Sequence, residues 1–525
     1  MSPMPHRHSD SSRRTIFALA LLLAAYLAAL LAGWPQRATA RIAARAEQSP
    51  PAHHVTTAEK EPHEGSSGGA VAACPATWTV VPFGLLLAAI AILPLVPQTS
   101  HWWENNWHRF YVAGGLGLLT LSTYLFTYHQ PVMGHWPIDH LVAPSPGPLN
   151  WHVTATVAVN ALAGEYFPFI ILLFSLYVIS GGIQIDGDFP AHPLVNTAFL
   201  GVGALLASLI GTTGAAMLLI RPLLQTNRQR QHVQHTVILF IFVVCNCGGC
   251  LLPLGDPPLF LGYLFGVPFW WTLKLWPAWL LLNGLLLTIY FLGDHFWYYP
   301  RESPRDVDRD ERPTRPLRLR GVWPNGLLLA GVILSVALLD PGKPWPGTSW
   351  HPWVYLREAV LLGLVAISLG RTAKTIRRHN DFDYGPILEV AALFVGIFLA
   401  MQPPLAILHS HGPSLGLATP VGFFWATGSL SAVLDNAPTY AVFFETARSL
   451  GGAPTVAGVK ESLLAAISLG AVFMGAMTYI GNGPNFMVRS IAEKSGIGMP
   501  SFFGYVIYSA LILLPLLWIT TWLVL

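Results

Sequence analysis

The chain has 525 residues, of which 53% are hydrophobic and only 10% charged, and its formal net charge is +3. A soluble protein of this length would carry about a quarter charged residues, so a water-soluble globule is excluded and no nucleic-acid partner is expected. Apolar residues come in continuous runs of roughly 17–24, long enough to cross a bilayer, and they do not alternate as in a membrane β-barrel. The composition therefore describes an all-α polytopic membrane protein in a lipid bilayer.

In chain order, Arg13-Arg14, the apolar stretch Thr15 to Gly33 and Ala38-Thr39-Ala40 come first. They fit a secretory signal with an A-x-A cleavage site over residues 1–40. They also fit an uncleaved anchor, although cleavage is the preferred reading. Segment 41–76 is polar, too short for a core, and expected outside the cytoplasm.

About ten spans follow, at 77–98, 109–128, 164–183, 236–270, 274–295, 322–339, 353–370, 386–403, 462–495 and 501–524. Segments 193–225 and 418–450 are interrupted in the middle and read as re-entrant hairpins, because lipid cannot satisfy broken backbone. The first half is 77–296, with hairpin 193–225 and broken helix 236–270. The second half is 322–525, with hairpin 418–450 and broken helix 462–495. Segment 297–321 between them is an Arg/Asp/Pro-rich solvated linker.

Loop 221–235 carries Arg221, Arg228 and Arg230, and loop 371–380 carries Arg371, Lys374, Arg377 and Arg378. With the Arg-rich linker these loops are predicted to be cytoplasmic. Loops 129–150, 340–351 and 403–417 are nearly free of Lys and Arg and are predicted to face outward. Hairpin 193–225 then opens to the cytoplasm and hairpin 418–450 opens outward. That inverted repeat is the arrangement used for alternating access.

The breaks match at a fixed offset. Gly255-Asp256-Pro257-Pro258-Leu259-Phe260 and Gly481-Asn482-Gly483-Pro484-Asn485-Phe486 lie 226 residues apart (481 − 255), and the same shift places Thr213 on Thr439. The hairpin breaks are Gly211-Thr212-Thr213-Gly214 and Asp435-Asn436-Ala437-Pro438-Thr439.

Asp256 falls near mid-membrane, where an ionised carboxylate is costly and by default functional; the bland reading is a cap for the half-helix after it. Asp435 and Asn436 offer side-chain oxygens beside a proline that frees carbonyls, the type of ligand a hard cation favours, or merely a capped hairpin tip. Thr212, Thr213, Thr439, Asn482 and Asn485 could complete an oxygen shell or simply satisfy broken backbone. Glu165 and Glu389, at or near span starts, are candidates for proton transfer; Glu165 reads more simply as interfacial. Cys245, Cys247 and Cys250 suggest a metal, but buried thiols ionise poorly, and close helix packing is the better reading. No G-x-x-x-x-G-K-[ST] loop is present, so a self-contained ATP-driven pump is disfavoured.

At these residues the chain resembles the ion-transporter superfamily of bacterial secondary carriers, over roughly 77–524. Gly211 to Pro222 looks like the first hairpin of the D-type sodium/proton antiporters, Leu434 to Thr439 like their second, and Pro253-Leu254-Gly255-Asp256 like their first broken helix. The whole is similar to a citrate-transporter-like branch. The resemblance implies two inverted repeats in a multi-pass bacterial inner-membrane protein, often a homodimer, without enzymatic activity or a cofactor. The Ser-Asn-Thr tips of sodium-coupled dicarboxylate carriers are absent, and an Asp at one tip repels a carboxylate substrate.

The expected function is Na+/H+ antiport, with Asp256 and Asp435 alternately binding Na+ or protons. An organic-anion (citrate or dicarboxylate) or arsenite carrier is the alternative. An intramembrane aspartyl enzyme would explain the acids but not the paired breaks.

Overall fold

The computed structural model describes residues 7–48, 74–94, 96–136, 140–187, 190–303 and 318–525. Most of segment 41–76 and of the linker 297–321 lies outside them. Helices form nearly all the regular structure. Three two-stranded antiparallel ribbons join loops, one of them pairing Gln184–Asp186 with Arg318–Arg320.

Among the described residues, four helices are long and apolar enough to cross a bilayer: Trp151–Ser180, Pro193–Ile210, Phe269–Arg301 and Phe502–Val524. Bent pairs raise this to seven if each is one span; Gly385–Ala400 meets Gln402–Leu415 at 43°. Shorter apolar helices, Gln234–Cys250 and Glu461–Met477, stop short because the expected breaks interrupt them. The protein is thus an all-α polytopic membrane protein.

Several spans differ from the ten expected: the segment expected at 77–98 holds helix Val81–Ile92 and, at 103° to it, helix Pro97–Trp103. The third begins at Trp151, not at 164, and runs to Ser180 as one 30-residue helix. Its middle, Asn160–Tyr166, is wound as a π turn. Glu165 therefore sits inside a helix and not at its start. Asn160 and His152 dilute the apolar run and hide its first half, and the π turn leaves no trace in composition.

Both segments read as hairpins fold as helix pairs about their breaks, although Pro193–Ile210 is itself long enough to cross a bilayer. Pro193–Ile210 turns at Gly211 into Thr212–Thr226. Gly211 has φ +82°, a left-handed conformation that glycine adopts without strain. Pro420–Val433 turns at Leu434-Asp435 into Asn436–Leu450. The first broken helix is Gln234–Val243, a 3-10 turn Cys247–Cys250, then Pro257–Leu264. The second is Glu461–Met474, Gly475–Met477, then Gly483–Lys494.

The packing crosses between repeats. Helix Thr212–Thr226 packs on Gly483–Lys494, and helix Pro257–Leu264 packs on Asn436–Leu450. The second hairpin helix of each repeat thus runs beside the broken helix of the other.

Lipid offers no hydrophobic drive between helices, so contact depends on close approach. A Cβ on Gly396 would lie 2.2 Å from the Ala113 carbonyl oxygen, which seats Gly385–Ala400 on Asn106–Phe126. A Cβ on Gly470 would lie 2.6 Å from the Phe424 oxygen, which seats the second broken helix on its hairpin.

Candidate functional site

Four half-helices begin at one point: Thr212–Thr226, Pro257–Leu264, Asn436–Leu450 and Gly483–Lys494. Each turns the positive end of its dipole toward the junction, although Pro257 and Pro258 carry no N–H, Leu259 N–H donates to the Asp256 carbonyl and Thr212 N–H donates to the Gly255 carbonyl. Asp256 lies there, 1% exposed.

Asp256 stands at the N-cap of Pro257–Leu264 but makes no cap hydrogen bond. Its carboxylate instead accepts three bonds from three other segments. The Thr212 hydroxyl donates to Oδ1 at 2.9 Å, the Asn482 amide to Oδ1 at 3.0 Å, and the Asn436 amide to Oδ2 at 2.6 Å. First hairpin, second hairpin and second broken helix all converge on the acid of the first broken helix. Among the described residues no Arg, Lys or His forms an ion pair with it. The Asn436 Oδ1 is buried and has no hydrogen-bond partner.

Asn482 is the repeat partner of Asp256, and its backbone confirms the equivalence. Asp256 has φ −143° and ψ 144°, and Asn482 has φ −151° and ψ 140°. Neither caps its own helix; both turn inward. Behind them, Asn246 donates to the Asn485 Oδ1 at 2.8 Å, and Asn485 donates to the carbonyls of Gly475 and Thr478. Asn482 also donates to the Cys245 carbonyl at 3.0 Å. Asn246 therefore ties the two broken helices together.

The remaining candidates are elsewhere. Asp435 is half-buried and caps its own helix, accepting from Ala437 N at 3.0 Å. Thr439 donates to the Asp435 carbonyl at 3.0 Å and Thr213 makes no hydrogen bond to Asp256. Glu389 pairs with Arg109 at 2.9 Å, which ties Gly385–Ala400 to Asn106–Phe126 and occupies the group proposed for proton transfer. Among the described residues, Glu165 accepts a single long bond, from Gln402 at 3.4 Å. No described hydrogen bond links Glu165 or Glu389 to Asp256.

Asn246 escaped the sequence because the neighbouring cysteines drew the chemistry and because the 226-residue shift places it on Val472. A polar amide inside an otherwise apolar run is the signal that could have found it.

A cavity of about 640 Å3 opens at the far ends of Thr212–Thr226 and Gly483–Lys494, lined by Arg221, Arg228, Arg230, His235 and Ile491. Arg221 is nine residues beyond Thr212, so it lies about 14 Å along the helix from the acid. The cavity is a mouth on the side that the Lys and Arg distribution assigns to the cytoplasm.

Broken helices and hairpins meeting in a polytopic helical protein define a membrane transporter. Residues 72–525 match the family described as "Putative citrate transport", and the chain belongs to that family. No individually curated protein matches the sequence.

Proposed function

We propose that this protein is a secondary active transporter that exchanges Na+ for protons by alternating access, with Asp256 as the shared binding group. One observation carries the reading: a buried carboxylate at the junction of both repeats has three neutral donors and, among the described residues, no cationic side chain paired with it. A charge in such a place needs a partner, and a proton or a metal ion can supply it. Because either one neutralises the same oxygens, occupancy by one excludes the other and couples their fluxes. Thr212, Asn436 and Asn482 orient the carboxylate, and the unpartnered Asn436 Oδ1 supplies a further oxygen. We place Asp435, Thr213 and Thr439 at the rim of the site and Asn485 behind it. A homodimer in a bacterial inner membrane is part of the same proposal.

Dequenching of a pH-sensitive dye in everted vesicles on adding Na+ or Li+, absent in Asp256→Asn, is the expected result. Unchanged exchange in that variant would remove the assigned role.

A second reading follows from the family description. Four helix N-termini at one point favour an anion. In that case the protein carries citrate or a related anion, and the cation at Asp256 is its coupling ion. Silence to every cation, with a response to citrate, would favour it.

A further inference from the structure

The N-terminal segment packs on helix Leu356–Arg371 and the residues before it through specific side-chain contacts. Helix Arg7–Leu31 lies along Leu356–Arg371, and a bend of 69° leads into Trp34–Gln48. Leu19 is 3% exposed in that contact. The Tyr26 hydroxyl donates to the Val354 carbonyl at 3.0 Å. The Thr39 hydroxyl accepts from the Val354 N–H at 3.0 Å and donates to the Pro352 carbonyl at 3.4 Å. Ala38 and Thr39, within the A-x-A sequence, are buried and helical.

At the bend, Trp34 enters an aromatic cluster. Its ring centroid is 5.7 Å from Trp136 and 6.4 Å from Tyr355, and Phe167 closes on Tyr355 at 5.4 Å. Tyr355 has φ +63°, a left-handed conformation that a bulky residue adopts only when its surroundings hold it there. Its hydroxyl donates at 2.7 Å to the carbonyl of Ala163. That carbonyl belongs to the π turn Asn160–Tyr166, which carries Glu165. The chain of contact is continuous: Trp34 on Tyr355, Tyr355 on the π turn, and the π turn holding Glu165 toward Gln402.

We propose that the N-terminal helical pair is retained as a permanent part of the folded transporter, and that Trp34 and Tyr355 are positioning residues which hold the π turn and so aim Glu165. The sequence preference for cleavage after Ala40 is the reading this replaces.

The first test does not depend on transport. Intact mass of the protein purified from membranes is expected to include residues 1–40; a mass reduced by that segment overturns the proposal. The second test uses exchange. On the reading that Glu165 transfers protons, Tyr355→Phe, which keeps the ring and removes the bond to Ala163, and Glu165→Gln are each expected to lower exchange severalfold. Combining the two should cost no more than either alone, because both break one chain of contact. Trp34→Phe is expected to retain exchange where Trp34→Ala loses it. Additive losses in the double variant, with folding unchanged by size-exclusion profile, would overturn the positioning role. If the retained mass is found but the parent protein exchanges no ion, the failure lies with the proposed antiport and not with retention of the helical pair.

Discussion

The two repeats share a backbone but not a charge. At the matched break, Asp256 and Asn482 have nearly the same φ and ψ and turn inward in the same way, yet one is an acid and the other an amide. The hairpin tips differ in the opposite sense. The first turns at Gly211 with no side-chain cap, and the second turns with Asp435 capping its helix. At its hairpin tip and helix break each repeat thus carries one acid, at different places, and among the described residues only that of the first repeat is held by side chains from elsewhere. The matched breaks build the junction alike, and the residue types at them make its two sides unequal. An acid at both matched positions would put two like charges within hydrogen-bond distance, and one of them would be forced to keep its proton.

The widest break of this comparison is Asp256→Asn. Exchange should fall at least about a hundredfold, roughly 2.8 kcal/mol of lost interaction, while the protein remains in the membrane. Vesicle dequenching measures it. The swap Asp256→Asn with Asn482→Asp returns one acid to the junction from the other repeat. Partial recovery over the single variant is expected, and none at all would mean that the two positions are not functionally equivalent.

Gly255→Ala tests the shared backbone. Its Cβ would lie 2.1 Å from the Gly249 carbonyl oxygen, whereas in Gly481→Ala the distance to the matched Gly475 oxygen is 2.6 Å. Both should lower Tm in detergent, the first more, on the order of 1–3 kcal/mol of overpacking. Asn436→Ala removes the 2.6 Å bond to Asp256 and should weaken the apparent Na+ affinity about tenfold. Asp435→Asn is the smallest: an amide also caps a helix, so exchange should stay within about threefold of the parent. A loss equal to that of Asp256→Asn would restore Asp435 as a second ion-binding carboxylate.

The breaks were legible because lipid punishes unpaired backbone, so Gly, Pro and polar residues inside an apolar run carry information. Asp256, Thr212, Asn436 and Asn482 were found this way, and the structure brings all four together. Asp435, Thr213 and Thr439 share the same sequence signal but serve or flank a helix start, since a side chain two residues from a break can bond locally. Glu389 looked available because Arg109 is 280 residues away in sequence. Glu165 looked terminal because a π turn has no compositional mark.

By itself the sequence determined the class of protein, the hairpins, the broken helices and the duplicated breaks, all consequences of local polarity in an apolar solvent. Only the tertiary structure decided which acid is shared by the repeats, that Asn246 joins them, and that the N-terminal helix braces a distant π turn. Those are contacts between residues far apart in the chain, and they depend on which way each side chain turns once the helices have packed.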